Sequence, residues 1–490
     1  MNYKMLVYNQ SLSLLTDLYQ LTMAYGYWKN KIDRKDAVFH LSFRNNPFHG
    51  GFTLVCGLNY AVDFLENFKL DKTDTAYLST LKGNDQKPLF EKVFLDYLDG
   101  MKFECDIDAI PEGTIVFPPE PLIRVKGPLI QCQILETALL NMINFQSLIA
   151  TKAARMCIAA KGDPVLEFGL RRAQGMDGAL AASRAAYIGG CEATSNVLAG
   201  KIFGIPLKGT HAHSWVMSFD DELESFKAYA QALPNNCSFL VDTYDTLDGV
   251  KKAVEAGRWL RSQGHEMVGI RLDSGDLAYL SMEARKILDQ NGFPKTPIIA
   301  SNELDENIIQ SLKDEGAQIN VWGVGTKLVT GDEQPALGGI YKLSAIRDDR
   351  GKWNYKIKLS EQSIKISNPG IQQIRRYYNE TENIADVIYG EESDLSFGCL
   401  MIDPLDITRQ KRIFANTSYQ DLLVPVFRGG KKVYHSPTIE EIKSFAKNNL
   451  KKFHSGIKRF INPHRYPVGL EKSLHELKTQ LILQAREGKK

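Results

Sequence analysis

Two imidazoles and two hydroxyls crowd into the stretch Gly209-Thr210-His211-Ala212-His213-Ser214-Trp215, directly after the apolar run Ile205-Pro206-Leu207. Histidine can donate, accept or attack near neutral pH. Three chemistries therefore compete for this stretch: metal ligation, general-base catalysis and covalent capture of a phosphoryl group. Neither His211 nor His213 belongs to an HExxH-type pair or has further ligands at metal spacing, so metal ligation is the weakest of the three. His213 is open to nucleophilic work, because a neutral imidazole nitrogen is a nucleophile. His211 serves equally well as a histidine satisfied within the core.

Two further clusters carry chemistry. Arg271-Leu272-Asp273-Ser274-Gly275-Asp276 sets a cation and two carboxylates close together after a strand-like run, where burial without partners would be costly. Such a set suits a sugar diphosphate held through its hydroxyls and Mg²⁺, with Asp273 the candidate metal ligand and Arg271 able to grip a carboxylate bidentately. A plain ion pair, with Asp276 capping the next helix, uses the same residues. Gly323-Val324-Gly325-Thr326-Lys327 has the make-up of a phosphate cradle, since two glycines let backbone amides approach and Thr326 adds a hydroxyl. Its spacing is not that of GxxxxGK[ST]. A glycine-rich strand-to-helix turn is the plainer alternative.

These clusters need elements to position them. Between about 165 and 343, short apolar runs alternate with amphipathic helical stretches at 247–263, 277–291 and 303–315. The runs lie at 165–168, 205–207, 239–241, 267–270, 297–300 and 319–322, an order that implies parallel strands joined by crossover helices. Each run leads into polar or glycine-rich residues: Gly169-Leu170-Arg171-Arg172, the histidine stretch, Asp242-Thr243-Tyr244-Asp245, the Arg271 cluster, Ser301-Asn302-Glu303 and the Gly323 cluster. An open doubly wound sheet serves its ligand with two or three loops, whereas a barrel gathers every strand end around one mouth. The expectation is an α/β barrel over 151–345. Residues 1–150 read as an α+β N-terminal domain, completed by the β-rich stretch 346–430, and 431–490 as a basic helical C-terminal segment with a solvated charged face.

Composition narrows the classes. A chain of 490 residues exceeds one ordinary core, and 43% apolar with 24% charged residues is a globular balance. A net charge of +2 gives no reason to expect nucleic acid or an anionic membrane. No apolar run reaches the roughly 18 residues of a membrane span, and the first residues lack a secretory pattern. Seven scattered cysteines suit reduced thiols, hence a cytoplasmic protein.

Six blocks, in order, resemble the nicotinate phosphoribosyltransferase family: Leu15-Thr16-Asp17-Leu18-Tyr19-Gln20-Leu21-Thr22-Met23-Ala24, Phe43-Arg44-Asn45-Asn46-Pro47-Phe48, Glu167-Phe168-Gly169-Leu170-Arg171-Arg172-Ala173-Gln174-Gly175, the Thr210–His213 stretch, the Arg271 cluster, and Gly323-Val324-Gly325-Thr326 with Leu337-Gly338-Gly339-Ile340-Tyr341-Lys342-Leu343. The resemblance implies the type II phosphoribosyltransferase fold, an irregular, incomplete barrel with an α+β N-terminal domain. It implies a homodimer whose active site is shared, with Tyr19 reaching the partner's pocket. The reaction it implies joins nicotinate to 5-phosphoribosyl 1-pyrophosphate, coupled to ATP hydrolysis and assisted by Mg²⁺. His213, followed by Ser214 and Trp215, matches the histidine that takes phosphate from ATP, and Asp273 and Asp276 take the other catalytic places. Tyr19, Phe168, Arg171, Thr210, Ser214 and Arg271 would contact nicotinate, and Gly323, Gly325 and Thr326 the phosphoribosyl group. The rivals are a nicotinamide phosphoribosyltransferase and a barrel that binds phosphorylated sugars without catalysis.

Overall fold

The Arg271 and Gly323 clusters sit at the C-terminal ends of short parallel strands, and the histidine stretch follows a single bridge at the edge of the same sheet. Val165–Glu167 (β1), Ala193–Thr194 (β2), Ser238–Leu240 (β3), Gly269–Leu272 (β4), Ile298–Ala300 (β5) and Val321–Val324 (β6) form one sheet in the order β2-β1-β6-β5-β4-β3. Every neighbouring pair is parallel, as in Ser238 beside Gly269 and Trp322 beside Val165. Val165–Glu167, Ser238–Leu240 and Ile298–Ala300 are buried at every position, the burial of strands covered on both faces. Helices Thr246–Ser262, Leu277–Gln290 and Glu306–Asp314 follow β3, β4 and β5, and each begins on an aspartate. Asp245 accepts from Asp248 N, Asp276 from Tyr279 N, and Asp305 from Asn307 N and Ile308 N. These caps hold each strand-to-helix turn in one conformation.

The computed structural model describes residues 11–488. The chain divides into two units, Leu148–Pro335 with Ile439–Lys447, which carries the six-stranded sheet, and Met1–Ser147 with Ala336–Thr438 and Asn448–Lys490. The second is built on antiparallel sheets. In one, Asp36–Phe43 lies between Gly339–Arg347 and Pro121–Pro128. In the other, Gln372–Tyr378 pairs with Asn383–Gly390, which runs parallel to Val468–Glu471. Two boundaries thus differ from the reading of the sequence. Gly339–Arg347 pairs with Asp36–Phe43 rather than ending the barrel, and 431–490 contributes a strand as well as helices Ile439–Lys451 and Lys472–Arg486. Val468–Glu471 is too short to show an alternating pattern. Among the described residues, no helix is long and apolar enough to cross a membrane.

The parallel sheet curls without closing, as an irregular and incomplete barrel, and its two free edges explain a departure at 205–207. That run makes a single bridge, Leu207 with Thr194, instead of a strand. Pro206 has no N–H to give, and the second strand is the two-residue β2, too short to see in the sequence. Pro206 O accepts from Thr194 N at 3.0 Å, and Lys208 N donates to Thr194 O at 3.1 Å. On the opposite edge, Leu240 N of β3 donates to His211 Nε2 at 3.2 Å. An imidazole thus stands where the carbonyl of a further strand would be. His211 is buried against the Tyr229 ring, 4.9 Å between centroids, and burial pushes its pKa down to about 4. It is therefore neutral, as an acceptor must be.

Replacing His211 by Phe keeps a ring but strands the Leu240 N–H, which should cost about 1–3 kcal/mol at neutral pH. Because the folded pKa lies below the ordinary 6.5, the unfolded chain binds the proton more tightly, and the histidine's contribution is complete above about 6.5 and lost as pH falls towards 4. Urea unfolding at pH 7.5 and 5.0 should show the gap between wild type and His211→Phe narrowing on acidification. A constant gap would contradict this assignment.

Candidate active site

Along β4, Arg271 alternates with the buried Ile270 and Leu272 and so leaves the strand on the other face. Its side chain is 14% exposed, and the guanidinium is held on three sides. Nε donates to Ser301 Oγ at 2.7 Å, Nη1 to Thr210 Oγ1 at 3.0 Å and Nη2 to Asp273 Oδ1 at 2.9 Å. The Ser301 hydroxyl donates in turn to Asp273 Oδ1. Two of the five guanidinium N–H groups are left by these bonds. The Phe168 ring lies beneath, its centroid 5.8 Å from Arg271 Cζ.

Burial alone would raise the Asp273 pKa, but the Ser301 hydrogen bond and the charges of Arg271 and His213 outweigh it and hold the carboxyl below the ordinary range. Asp273 is thus anionic at neutral pH. Its turn is braced from β3: Asp242 Oδ2 accepts from Asp273 N and from Ser274 Oγ, both at 2.7 Å. Asp242 Oδ1 is buried and, among the described residues, has no hydrogen-bond partner.

His213 opens the short helix His213–Val216 and hangs between two anchors. Two residues before it His211 is sealed into the core, and two residues after it Trp215 Nε1 donates to Ser225 O at 3.0 Å while its ring packs on Phe219 and Tyr229. His213 itself is 38% exposed, with Nδ1 3.1 Å from Thr243 Oγ1 and Nε2 3.8 Å from Asp273 Oδ2.

At the end of β1, buried Glu167 ties the turn that carries Phe168. It accepts from Ser183 Oγ at 2.8 Å, from Thr194 Oγ1 at 2.6 Å and from Gly169 N. Gly323 on β6 is required by packing, since a Cβ there would lie 2.8 Å from the Phe168 ring. Thr210, His213, Arg271, Asp273 and Phe168 are therefore joined through direct contacts, with Gly323 fitted against Phe168. The remaining candidates stand apart from this network. Asp276 is exposed and spends Oδ1 on the helix cap. Arg171 and Ser214 are exposed. Gly325 precedes helix Thr326–Val329, and Thr326 Oγ1 is 3.3 Å from Glu303 Oε1. Tyr19 is exposed on Leu18–Lys29, in the other unit.

Four supporting residues, Glu167, Asp242, Thr243 and Ser301, carry no assigned role in the sequence reading, although Asp242, Thr243 and Ser301 stand among its polar strand ends. The signal for three of them was present, because Asp242, Thr243 and Ser301 each follow a strand, where side chains reach the same end of the sheet. Glu167 looked like part of an apolar run, and only its three donors explain a buried carboxylate there.

The chain is similar to known proteins over most of its length. Residues 14–144, 164–368 and 371–478 match, in turn, the family models described as the nicotinate phosphoribosyltransferase N-terminal domain, family and C-terminal domain. A nicotinate phosphoribosyltransferase of Bacillus subtilis (strain 168) is 43% identical over 479 residues, covering 97% of this chain and 96% of that protein. One from Caenorhabditis elegans is 37% identical, covering 96% and 93%. The solved structure of human nicotinic acid phosphoribosyltransferase superposes with a TM-score of 0.81 at 31% identity, over 96% of this chain and 100% of that one. A nicotinate-nucleotide pyrophosphorylase from Pyrococcus furiosus, TM-score 0.69 at 23% identity, shares the fold. The architecture is the type II phosphoribosyltransferase fold. The chain belongs to the nicotinate phosphoribosyltransferase family.

Removing the Ser301 hydroxyl takes a donor from Asp273 and an acceptor from Arg271. In Ser301→Ala the Asp273 carboxyl should titrate at higher pH than in the wild type, followed by carbon-detected NMR of the labelled side chain. An unmoved titration would show that Ser301 does not set the charge at this site.

Proposed function

We propose that this chain joins the pyridine nitrogen of nicotinate to C1 of 5-phosphoribosyl 1-pyrophosphate, releasing pyrophosphate and forming nicotinate mononucleotide for NAD salvage. The names of its relatives support the substrates. The observation within the chain that carries the reading is the Arg271 guanidinium, braced by Thr210, Asp273 and Ser301 above Phe168 with two N–H groups to spare. A planar fork of that kind suits a carboxylate on an aromatic ring. Thr210 and Ser214 offer hydroxyls to the same substrate, Phe168 a packing face, and Arg171 a second cation for the carboxylate or the pyrophosphate.

Catalysis here is positioning and charge. As the bond from C1 to pyrophosphate lengthens, positive charge develops on the sugar, and the anionic Asp273 with Asp276 stabilises it or holds the ribose hydroxyls. Gly323 and Gly325 present backbone and Thr326 a hydroxyl to the 5-phosphate. Lys327 is committed elsewhere, paired with Asp305 at 2.9 Å.

A divalent cation fits this chemistry in a limited way. Among the described residues, no group of three or more His, Cys, Asp or Glu side chains is placed to hold a metal ion. Mg²⁺ is commonly bound by one or two carboxylates plus substrate phosphates, and Asp273 with the unpartnered Asp242 Oδ1 supplies that much. Bound there, it would neutralise the leaving pyrophosphate.

His213 is the proposed phosphoryl acceptor. Its Nδ1 is engaged by Thr243, which leaves Nε2 to attack the γ-phosphorus of ATP, with ADP leaving and the imidazole proton released to solvent. The phosphohistidine adds negative charge beside Asp273, helps to organise the cation and pyrophosphate, and is hydrolysed during turnover, so that ATP drives nucleotide formation. In the proposed homodimer, Tyr19 of each protomer completes the other's pocket. The seven scattered thiols of the sequence favour the cytoplasm as the compartment.

Incubation with ATP labelled at its γ-phosphate should leave acid-labile, base-stable label on the wild type and none on His213→Ala. That variant should lose ATP stimulation while keeping a slow ATP-independent synthesis. Full ATP-stimulated synthesis by His213→Ala would end the assignment. With phosphoribosyl pyrophosphate and ATP supplied, nicotinate should react and nicotinamide and quinolinate should not; equal rates with nicotinamide would overturn the substrate.

A further inference from the structure

A cavity of about 640 Å³ lies wholly within the unit built on antiparallel sheets. Its walls come from the start of Asn383–Gly390, from strand Gln410–Ile413 and from the segment 454–467. Lys411 projects from the second strand and donates to Ile384 O at 3.0 Å, which leaves two ammonium N–H groups. Among the described residues, it forms no ion pair, and burial pulls its pKa down. Arg459 spends Nε on Gly456 O at 3.3 Å and likewise forms no ion pair among the described residues.

The third wall is built and rigid. His454 Nδ1 accepts from Gly456 N at 3.1 Å, so the proton of the neutral ring sits on Nε2 as a donor. His464 N donates to Gly456 O at 2.9 Å, and a Cβ at position 456 would lie 3.2 Å from His464 Cβ. Tyr466 is fixed by its hydroxyl, which donates to Asp386 Oδ1 at 3.0 Å, and Asp386 is itself paired with the fully buried Arg376. Asn383, only 7% exposed, adds an Nδ2 with no partner among the described residues. Glu382 is the one carboxylate in the lining, against Lys411, Arg459 and two imidazoles.

We infer that this cavity is a binding site for a phosphate-bearing small molecule, separate from the Arg271 site. Donors outnumber acceptors, cations outnumber the carboxylate, and lysine and arginine together suit phosphate oxygens. The volume falls among sites for small ligands, roughly 300–1,000 Å³, and far exceeds one phosphate, which favours a nucleotide.

Hydrogen–deuterium exchange on the full chain, with ATP, nicotinate mononucleotide and inorganic phosphate as separate probes, reads this site apart from the Arg271 site. Exchange should slow at 382–384, 410–413 and 454–467. In Lys411→Gln and Arg459→Gln the half-saturating concentration for that protection should rise about tenfold, with protection at 210–216, 271–276 and 323–326 unchanged. Arg459 is exposed, so its variant keeps the test open should Lys411→Gln fail to fold. Protection by a nucleotide where phosphate gives none supports a nucleotide site, and equal protection by phosphate supports a site for the free anion. No protection in those three segments by any probe, or protection unaffected in both variants, overturns the inference even if the Arg271 site behaves as proposed.

Discussion

A guanidinium on a side chain only 14% exposed must be paired, and the way Arg271 is paired organises the rest of this site. Its partners arrive from separate pieces of chain. Asp273 follows the same strand, Ser301 comes from the end of β5, Thr210 from the stretch after the Leu207 bridge, and Phe168 from the end of β1. Backbone pairing lies at or within two residues of each: Ser301 N donates to Leu272 O and Phe168 N to Val324 O, Asp273 follows the paired Leu272, and Lys208, two residues before Thr210, donates to Thr194 O. The clamp exists only while the sheet keeps its order and curl, and the curl brings strands that are not neighbours to one place.

The incomplete barrel creates a difficulty that the histidine stretch resolves. Two edges of a parallel sheet carry unpaired backbone groups, and residues 205–211 meet both, through Leu207 on one side and the His211 ring on the other. The same segment carries Thr210 to Arg271 and His213 to Thr243. Closing the edge and positioning the proposed phosphoryl acceptor, His213, are therefore one structural act. His211 is neutral because it is buried, and His213, anchored on both sides, remains accessible for chemistry.

Much of this was legible in the residues. The alternation of apolar runs and amphipathic stretches placed β1, β3, β4, β5 and β6, since aspartate caps and buried runs are local signals. It failed at β2, where two residues carry no period, and at 205–207, where a strand-like run containing proline makes only a single bridge. Arg271, Asp273 and Thr210 announced themselves as costly polar groups beside apolar strands. Ser301, Thr243 and Asp242 did not, because an isolated hydroxyl or carboxylate gains meaning only from what the fold sets 3 Å away. The links of Gly339–Arg347 to Asp36–Phe43 and of Val468–Glu471 to Asn383–Gly390 span long separations that no local pattern encodes.

The central claim is that Arg271, held by its three partners, reads the carboxylate of the substrate. The most direct measurement is the ratio of kcat/KM for nicotinate to that for nicotinamide in the wild type and in Arg271→Gln, a change that keeps hydrogen bonding and removes the charge and the fork. A carboxylate grip predicts that the ratio falls by about two orders of magnitude, as expected when a charge-assisted bidentate contact of some 2–3 kcal/mol is lost. A ratio that survives Arg271→Gln unchanged would mean that discrimination lies elsewhere, and that the clamp serves the fold alone.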